Sequence, residues 1–166
     1  VYKRQEDVLM AQSRDSLRAR QRRLDSRVSE VRSALDAADE NGVPDAVAGA
    51  LDALYGLWEI LAARCCLTMN QADDRVRGDV EGETAAALIH VRGAKTHVFM
   101  EFGNLTDTNL DLYRDYYGTC RWQAHSDPRP RYAARDRWYA RHVALQEILP
   151  PLETALRWIC NQPEVQ

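Results

Sequence analysis

The residues best suited to chemistry crowd one stretch, ETAAALIHVRGAKTHVFMEFGN at 83–104, which holds His90, Arg92, Lys95, His97 and Glu101. Two of the four histidines of the chain lie there. A histidine titrating near neutral pH can take or give a proton, and an arginine fork can hold a phosphoryl group while charge builds on it. Arg92 and His97, five residues apart, are therefore the first candidate pair for acid–base work on a phosphate ester, with His90, Lys95 and Glu101 in support.

Further along the chain, Arg137 and His142 (RWYARH) repeat the spacing, and Arg135 and His142 (RDRWYARH) come close to it. With 20 arginines in 166 residues, three such pairs are near what chance supplies, so spacing alone selects none of them. Ordinary roles compete with each reading. Arg92 can pair with Glu101 or with an acid of the preceding helix, and His97 and Glu101 can pair at i, i+4. His90 and His97 share a helical face but are separated by about 10 Å of rise, too far to share a metal. Cys65, Cys66, Cys120 and Cys160 lack CxxC spacing and read as reduced, largely buried thiols. No metal or other cofactor is expected.

The elements that must position these groups are helical. From Glu6 to about Glu40 there is neither Pro nor Gly, and Met10, Leu17, Leu24 and Val31 recur every seven residues, with Val28 and Leu35 between. That is a coiled-coil-like seam on a helix long enough to project or to pair with a second copy. Asn41-Gly42-Val43-Pro44 ends it and starts a second helix to about Met69, with Val47, Leu51, Leu54, Trp58, Leu61 and Cys65 inward. Residues 71–82 read as a polar loop, and Asp79 as the N-cap of the central helix. Leu88, Val91, Val98 and Phe102 give that helix one apolar face, and Gly103-Asn104 ends it. An aromatic-rich insertion follows, with a short helix near 108–116 and an extended piece at 119–125. The last helix reads as 129–148 and 151–162, divided by Pro150-Pro151. The fold class is all-α: an up-and-down bundle of four main helices with an irregular aromatic-rich insertion before the last, in one domain over 1–166. VYKRQ at 1–5 looks like a translated adapter remnant of a metagenomic reading frame and is set aside.

An Arg followed four to six residues later by a His, on a helix of a small bundle, is the signature of the HEPN superfamily. The run ALIHVRGAKTH resembles the surroundings of that motif. Arg121-Trp122 before a last helix carrying Leu152, Ala155 and Trp158 is similar to a HEPN-like layout, so that the likeness covers roughly 84–161. It departs at Gly93, where the family commonly has a polar residue. Asp136, after Arg135, meets that preference. The resemblance implies RNA binding or metal-independent RNA cleavage by a homodimer, in which Arg92 and His97 form a composite site and the ribose 2′-hydroxyl is the nucleophile. It also implies a defence or toxin–antitoxin setting with a cognate partner protein.

The net charge of −3 conceals an uneven distribution. Residues 1–32 carry 9 basic and 5 acidic side chains, residues 33–113 carry 5 and 14, and residues 114–142 carry 7 and 3. Basic ends flanking an acidic middle suit an anionic partner at either end, or simply solvated helix faces. No apolar run approaches the roughly 20 residues of a membrane span, so no membrane is expected and the chain reads as cytoplasmic. The alternative to the nuclease reading is a non-catalytic helical scaffold that assembles through its long first helix.

Overall fold

The computed structural model describes residues 2–39, 42–68, 71–97, 112–114, 120–124 and 129–166, with side chains outside that description at 2–15, 93–97, 112–114 and 131. Among these residues the fold is all-α. Its helices are α1 (Tyr2–Asp36), α2 (Gly42–Arg64), α3 (Gln71–Val76), α4 (Val80–His97), α5 (Ala133–His142) and α6 (Leu149–Cys160). Short 3-10 turns at Pro130–Tyr132 and Pro163–Val165 precede α5 and follow α6.

α1 and α2 form an antiparallel hairpin. α1 ends with Ala38 at φ 51°, where the Asp39 N–H reaches back to the Ala34 carbonyl and the Ala38 N–H to Leu35. This left-handed closure satisfies the last carbonyls of the helix. Gly42 was expected to end α1, but it begins α2. Asp39 caps α2 by accepting the Gly42 N–H at 2.9 Å, and a Cβ at position 42 would collide with that carboxylate.

Four residues of the α1 seam pack within the chain. Leu17, Leu24, Val28 and Val31 are buried against the core, beside α2 and α6. Arg27 lies over Gly49 and Arg20 over Gly56. Continued at that register, α1 passes Arg64 near residue 12, leaving about ten residues of helix beyond the end of α2.

α2 stops at Arg64 rather than Met69, closed by Cys66 at φ 54° with Leu67 N–H bonded to Ala62 and Cys66 N–H to Ala63. Contrary to the sequence reading, α2 has the length and apolarity of a membrane-spanning helix, with a mean hydropathy of 1.4 over its most apolar window. Val47, Leu51, Leu54, Leu57, Trp58 and Leu61 on it are buried in the core.

Residues 71–76 form α3, where a loop was expected. Thr68 and Gln71 cap it reciprocally: the Gln71 N–H donates to Thr68 Oγ1 at 3.3 Å, and the Thr68 N–H to Gln71 Oε1 at 2.8 Å. That is a capping box. Asp79 caps α4 as expected, accepting the N–H groups of Glu81 and Gly82.

The first half of α4 is not amphipathic. Every residue from Gly82 to Val91 is buried, because α2, α5 and α6 all pack on it. A helix surrounded in this way needs apolar or small residues all round, which Ala85, Ala86, Ala87, Leu88 and Ile89 supply. Gly82 allows the close approach at its start, since a Cβ there would meet Val76 and Trp158 at about 3 Å. The expected end of this helix at Gly103-Asn104 lies outside the described residues.

Leu112–Arg114 is a strand, not part of a helix, and pairs antiparallel with Cys120–Trp122. Trp122 is buried, and its indole N–H donates to the Ile148 carbonyl at 3.2 Å. The backbone of Trp122 also exchanges bonds with Leu145 and Gln146. This docking breaks the last helix earlier than expected, at residues 143–148, with Leu145 at φ 64° and 56% exposed rather than in the core. Pro150 and Pro151 lie inside the first turn of α6, where a missing N–H costs nothing.

Candidate functional site

Arg92 projects from the surface of α4 near its end. Its Nε donates to Asp52 Oδ1 of α2 at 3.0 Å, and its guanidinium carbon sits 4.1 Å from the centre of the Tyr55 ring. Carboxylate and ring together fix the plane of the guanidinium. His97 is five residues further along the same helix, so its backbone position is turned by about 140° from that of Arg92. One copy of the helix therefore does not present the two positions side by side. The side chains of His97 and Lys95, and Glu101 altogether, lie outside the described residues. His90 is 2% exposed, with its ring 5.2 Å from the Tyr132 ring. It belongs to the core rather than to the surface that carries Arg92.

The second candidate set lies on α5. Arg135 donates from Nε to Asp73 of α3 at 2.8–2.9 Å, and its Nη2 is 2.8 Å from Oδ1. Burial raises the Asp73 carboxyl above its ordinary range despite this pairing. His142 Nε2 lies 2.9 Å from Glu83 Oε2 at the start of α4. Glu83 also accepts the Gly78 N–H at 2.9 Å. Burial acts to raise the Glu83 carboxyl, but the Gly78 N–H, His142 and Arg141 outweigh it and leave the group below its usual value. Arg135 and His142 face inward, each tied to a different acid about 10 Å apart along α5, while Arg137 is exposed. The structure does not gather these three into one site.

The arrangement instead works as a set of clamps around the start of α4. Trp158 Nε1 donates to Asp79 at 2.7 Å, and Arg157 donates to Glu81 at 2.6 Å. With Glu83–His142 and Asp73–Arg135, these contacts fasten α5 and α6 to the start of α4 and α5 to α3. Of these acids, Asp73, Asp79 and Glu81 fall in the stretch read as a polar loop, with Asp79 as a cap, and Glu83 opens the central helix.

A group that the sequence offers only as net basic charge over 1–32 lies on α1. Arg18, Arg20, Arg22 and Arg23 are all exposed, and none has an ion-pair partner among the described residues. Arg27, Arg32, Arg75, Arg77, Arg92, Arg135 and Arg157 all pair with carboxylates. Arg18 and Arg22, one turn apart, repel each other on the helix surface. They line a groove of about 590 Å³ between α1 and α6. The signal was present in the sequence as the run RARQRR at 18–23.

The cysteines are free, with Cys66 exposed and the other three half-buried, less enclosed than expected. Burial, followed by Asp25, pushes the Cys160 thiol up. Among the described residues no three His, Cys, Asp or Glu side chains converge to hold a metal. Comparison with protein-family models, curated proteins and solved structures gives no match.

Proposed function

We propose that this chain is a HEPN-like domain that binds RNA through the outer surface of α1. The carrying observation is the run of four exposed arginines within six residues that have no ion-pair partner among the described residues, in a protein whose other arginines are so often neutralised by acids. Arg18 and Arg22, one turn apart, repel each other, with Asp25 the one carboxylate that lines the groove beside them. A polyanion relieves that repulsion by taking the place of the condensed counterions.

Cleavage, in this reading, belongs to Arg92 and His97 of two copies. The Asp52 carboxylate engages Nε of Arg92, which leaves the two terminal nitrogens to face a phosphate. Tyr55 holds the guanidinium plane. The separation of Arg92 and His97 around α4 supports a composite site, since a second copy can bring its own histidine to this arginine. The principal helices are α1, α2, α4 and α6 in up-and-down order. Asp52–Arg92 and Arg32–Glu153 are the cross-helix contacts that support this order.

Arginine-selective dicarbonyl modification tests the binding surface. Peptides carrying Arg18, Arg20, Arg22 and Arg23 should be labelled in the free protein and shielded by single-stranded RNA. Unchanged labelling at saturating RNA removes this surface from consideration.

The projection of α1 beyond α2 favours a second reading, a non-catalytic scaffold that assembles through that end of the helix. Truncating residues 1–11 separates the two. A scaffold loses its assembly, whereas the RNA surface at 18–23 remains.

A further inference from the structure

Two arginines from different helices come to rest on the same exposed strip of α2. Arg92, from α4, bonds through Nε to Asp52 and lies over the Tyr55 ring. Arg20, from α1, reaches the same helix at Gly56, where its Nη1 stands 3.5 Å from the place a Cβ would take. Asp52 and Gly56 are four residues apart, so they stack on one face of α2 with about 6 Å of rise between them. α1 and α4 both pack on α2, and the exposed side chain of Asp52 marks the strip between them as open to solvent.

The two ends of the strip differ in what holds them. Arg92 is committed to Asp52 through Nε, and Tyr55 fixes its plane, which suits the phosphate on which charge builds. Arg20 is exposed and has no ion-pair partner among the described residues, and position 56 has no side chain to compete for it. Glu59 is the only other carboxylate in 52–59, exposed about one turn beyond Gly56. The strip therefore offers guanidinium groups at Asp52 and at Gly56 and a negative charge one turn further on. Successive phosphates of an extended single strand recur on the scale of that offset.

We infer that Arg20 binds the phosphate next to the scissile one, so that RNA leaving α1 crosses the Asp52–Gly56 strip in a register fixed by two arginines. The inference rests on the reading of Arg92 as part of an RNA-cleaving site and adds a second residue that positions the substrate there. A phosphate held on Arg20 limits how far the scissile phosphate can slip from Arg92. Arg18 and Arg22 line the α6 side of α1, away from α2, and serve binding without setting this register.

Steady-state cleavage of a single-stranded RNA decamer by the intact protein tests this. Arg20→Gln should lower kcat at saturating RNA about tenfold, because bound RNA is then out of register with Arg92. Gly56→Glu should do the same, since the introduced carboxylate lies under Arg20 and pairs with it, while the melting temperature holds or rises. The two substitutions together should be no worse than either alone, because both remove one contact. Arg20→Lys should keep most of the rate, since a point charge serves a phosphate that does not react. Arg18→Gln should act on KM instead. Melting temperatures establish that the variants are folded. A folded Arg20→Gln protein with the kcat of wild type overturns the inference and leaves the Arg92 reading standing. Additive losses in the double variant also overturn it, because the carboxylate at 56 would then act by general repulsion rather than through Arg20. Absence of cleavage by the wild type overturns both this inference and the Arg92 reading.

Discussion

The His142 ring and the Glu83 carboxylate meet at 2.9 Å across the α4–α5 contact, with side chains only 13% and 8% exposed. The histidine that the sequence offers as an alternative catalytic group therefore has a structural partner on the neighbouring helix. Glu83 in turn receives the Gly78 N–H and so fixes the turn that starts α4.

This contact predicts an acid-sensitive stability. The Glu83 carboxyl lies below its ordinary value in the folded chain. Its contribution is present above the unfolded carboxyl value of about 4.3 and is lost as pH falls through the lower folded value. Glu83→Gln should remove this contribution. Denaturant midpoints from pH 7 to pH 3 should then converge for the variant and wild type at the acid end. A constant difference at every pH would contradict the assignment.

Arg135 and Arg137 should separate cleanly. Arg135→Ala leaves the buried Asp73 carboxylate without its guanidinium and should cost about 3 kcal/mol or more. Arg137→Ala removes an exposed side chain and should change stability by less than about 0.5 kcal/mol. Urea unfolding of both variants checks this, and equal losses would show that the inward position of Arg135 carries no energetic weight.

The capping box of α3 gives a local test. Thr68→Ala should cost about 1 kcal/mol, while Thr68→Ser should cost a few tenths at most. Thermal melts of the pair decide it: similar losses for both would mean that the hydroxyl is not what holds the start of α3.

Much of the fold was legible because its signals are local. The seven-residue spacing of Leu17, Leu24 and Val31 and the Asp79 cap are read from neighbouring residues: the spacing marks the face that α1 buries in the chain's own core, and Asp79 caps α4. The Thr68–Gln71 capping box was equally local and went unread because the acids after it suggested a loop. Other features depend on tertiary partners. Nothing near Ala85–Ile89 reveals that three helices enclose them. Nor does the sequence show that Trp122 docks on residues 145–148 and breaks the helix before the prolines. Likewise, the positions of Arg92 and Arg135 were evident, but not that Asp52 and Asp73 bind them. The run of arginines at 18–23 was visible as charge, whereas its lack of ion-pair partners among the described residues became evident only in three dimensions.

For catalysis, RNA cleavage should persist in EDTA and leave a cyclic phosphate, since Arg and His chemistry uses the 2′-hydroxyl and needs no metal. His97→Ala and Arg92→Ala should each reduce the rate by about 10²–10⁴-fold. Arg92→Lys should restore little, because an ammonium lacks the planar fork. His142→Ala should act on stability rather than on the rate of folded protein. Rates for folded variants check the order. Normal cleavage by His97→Ala would remove the α4 site.

Salt dependence of RNA binding tests the central claim most directly. Single-stranded RNA releases counterions in proportion to the phosphates neutralised, with a slope of log affinity on log salt of about −0.7 per contact. Replacing Arg18, Arg20, Arg22 and Arg23 by Gln together should weaken binding and flatten that slope by about 2–3. A folded variant with the affinity and slope of wild type would contradict RNA binding through α1.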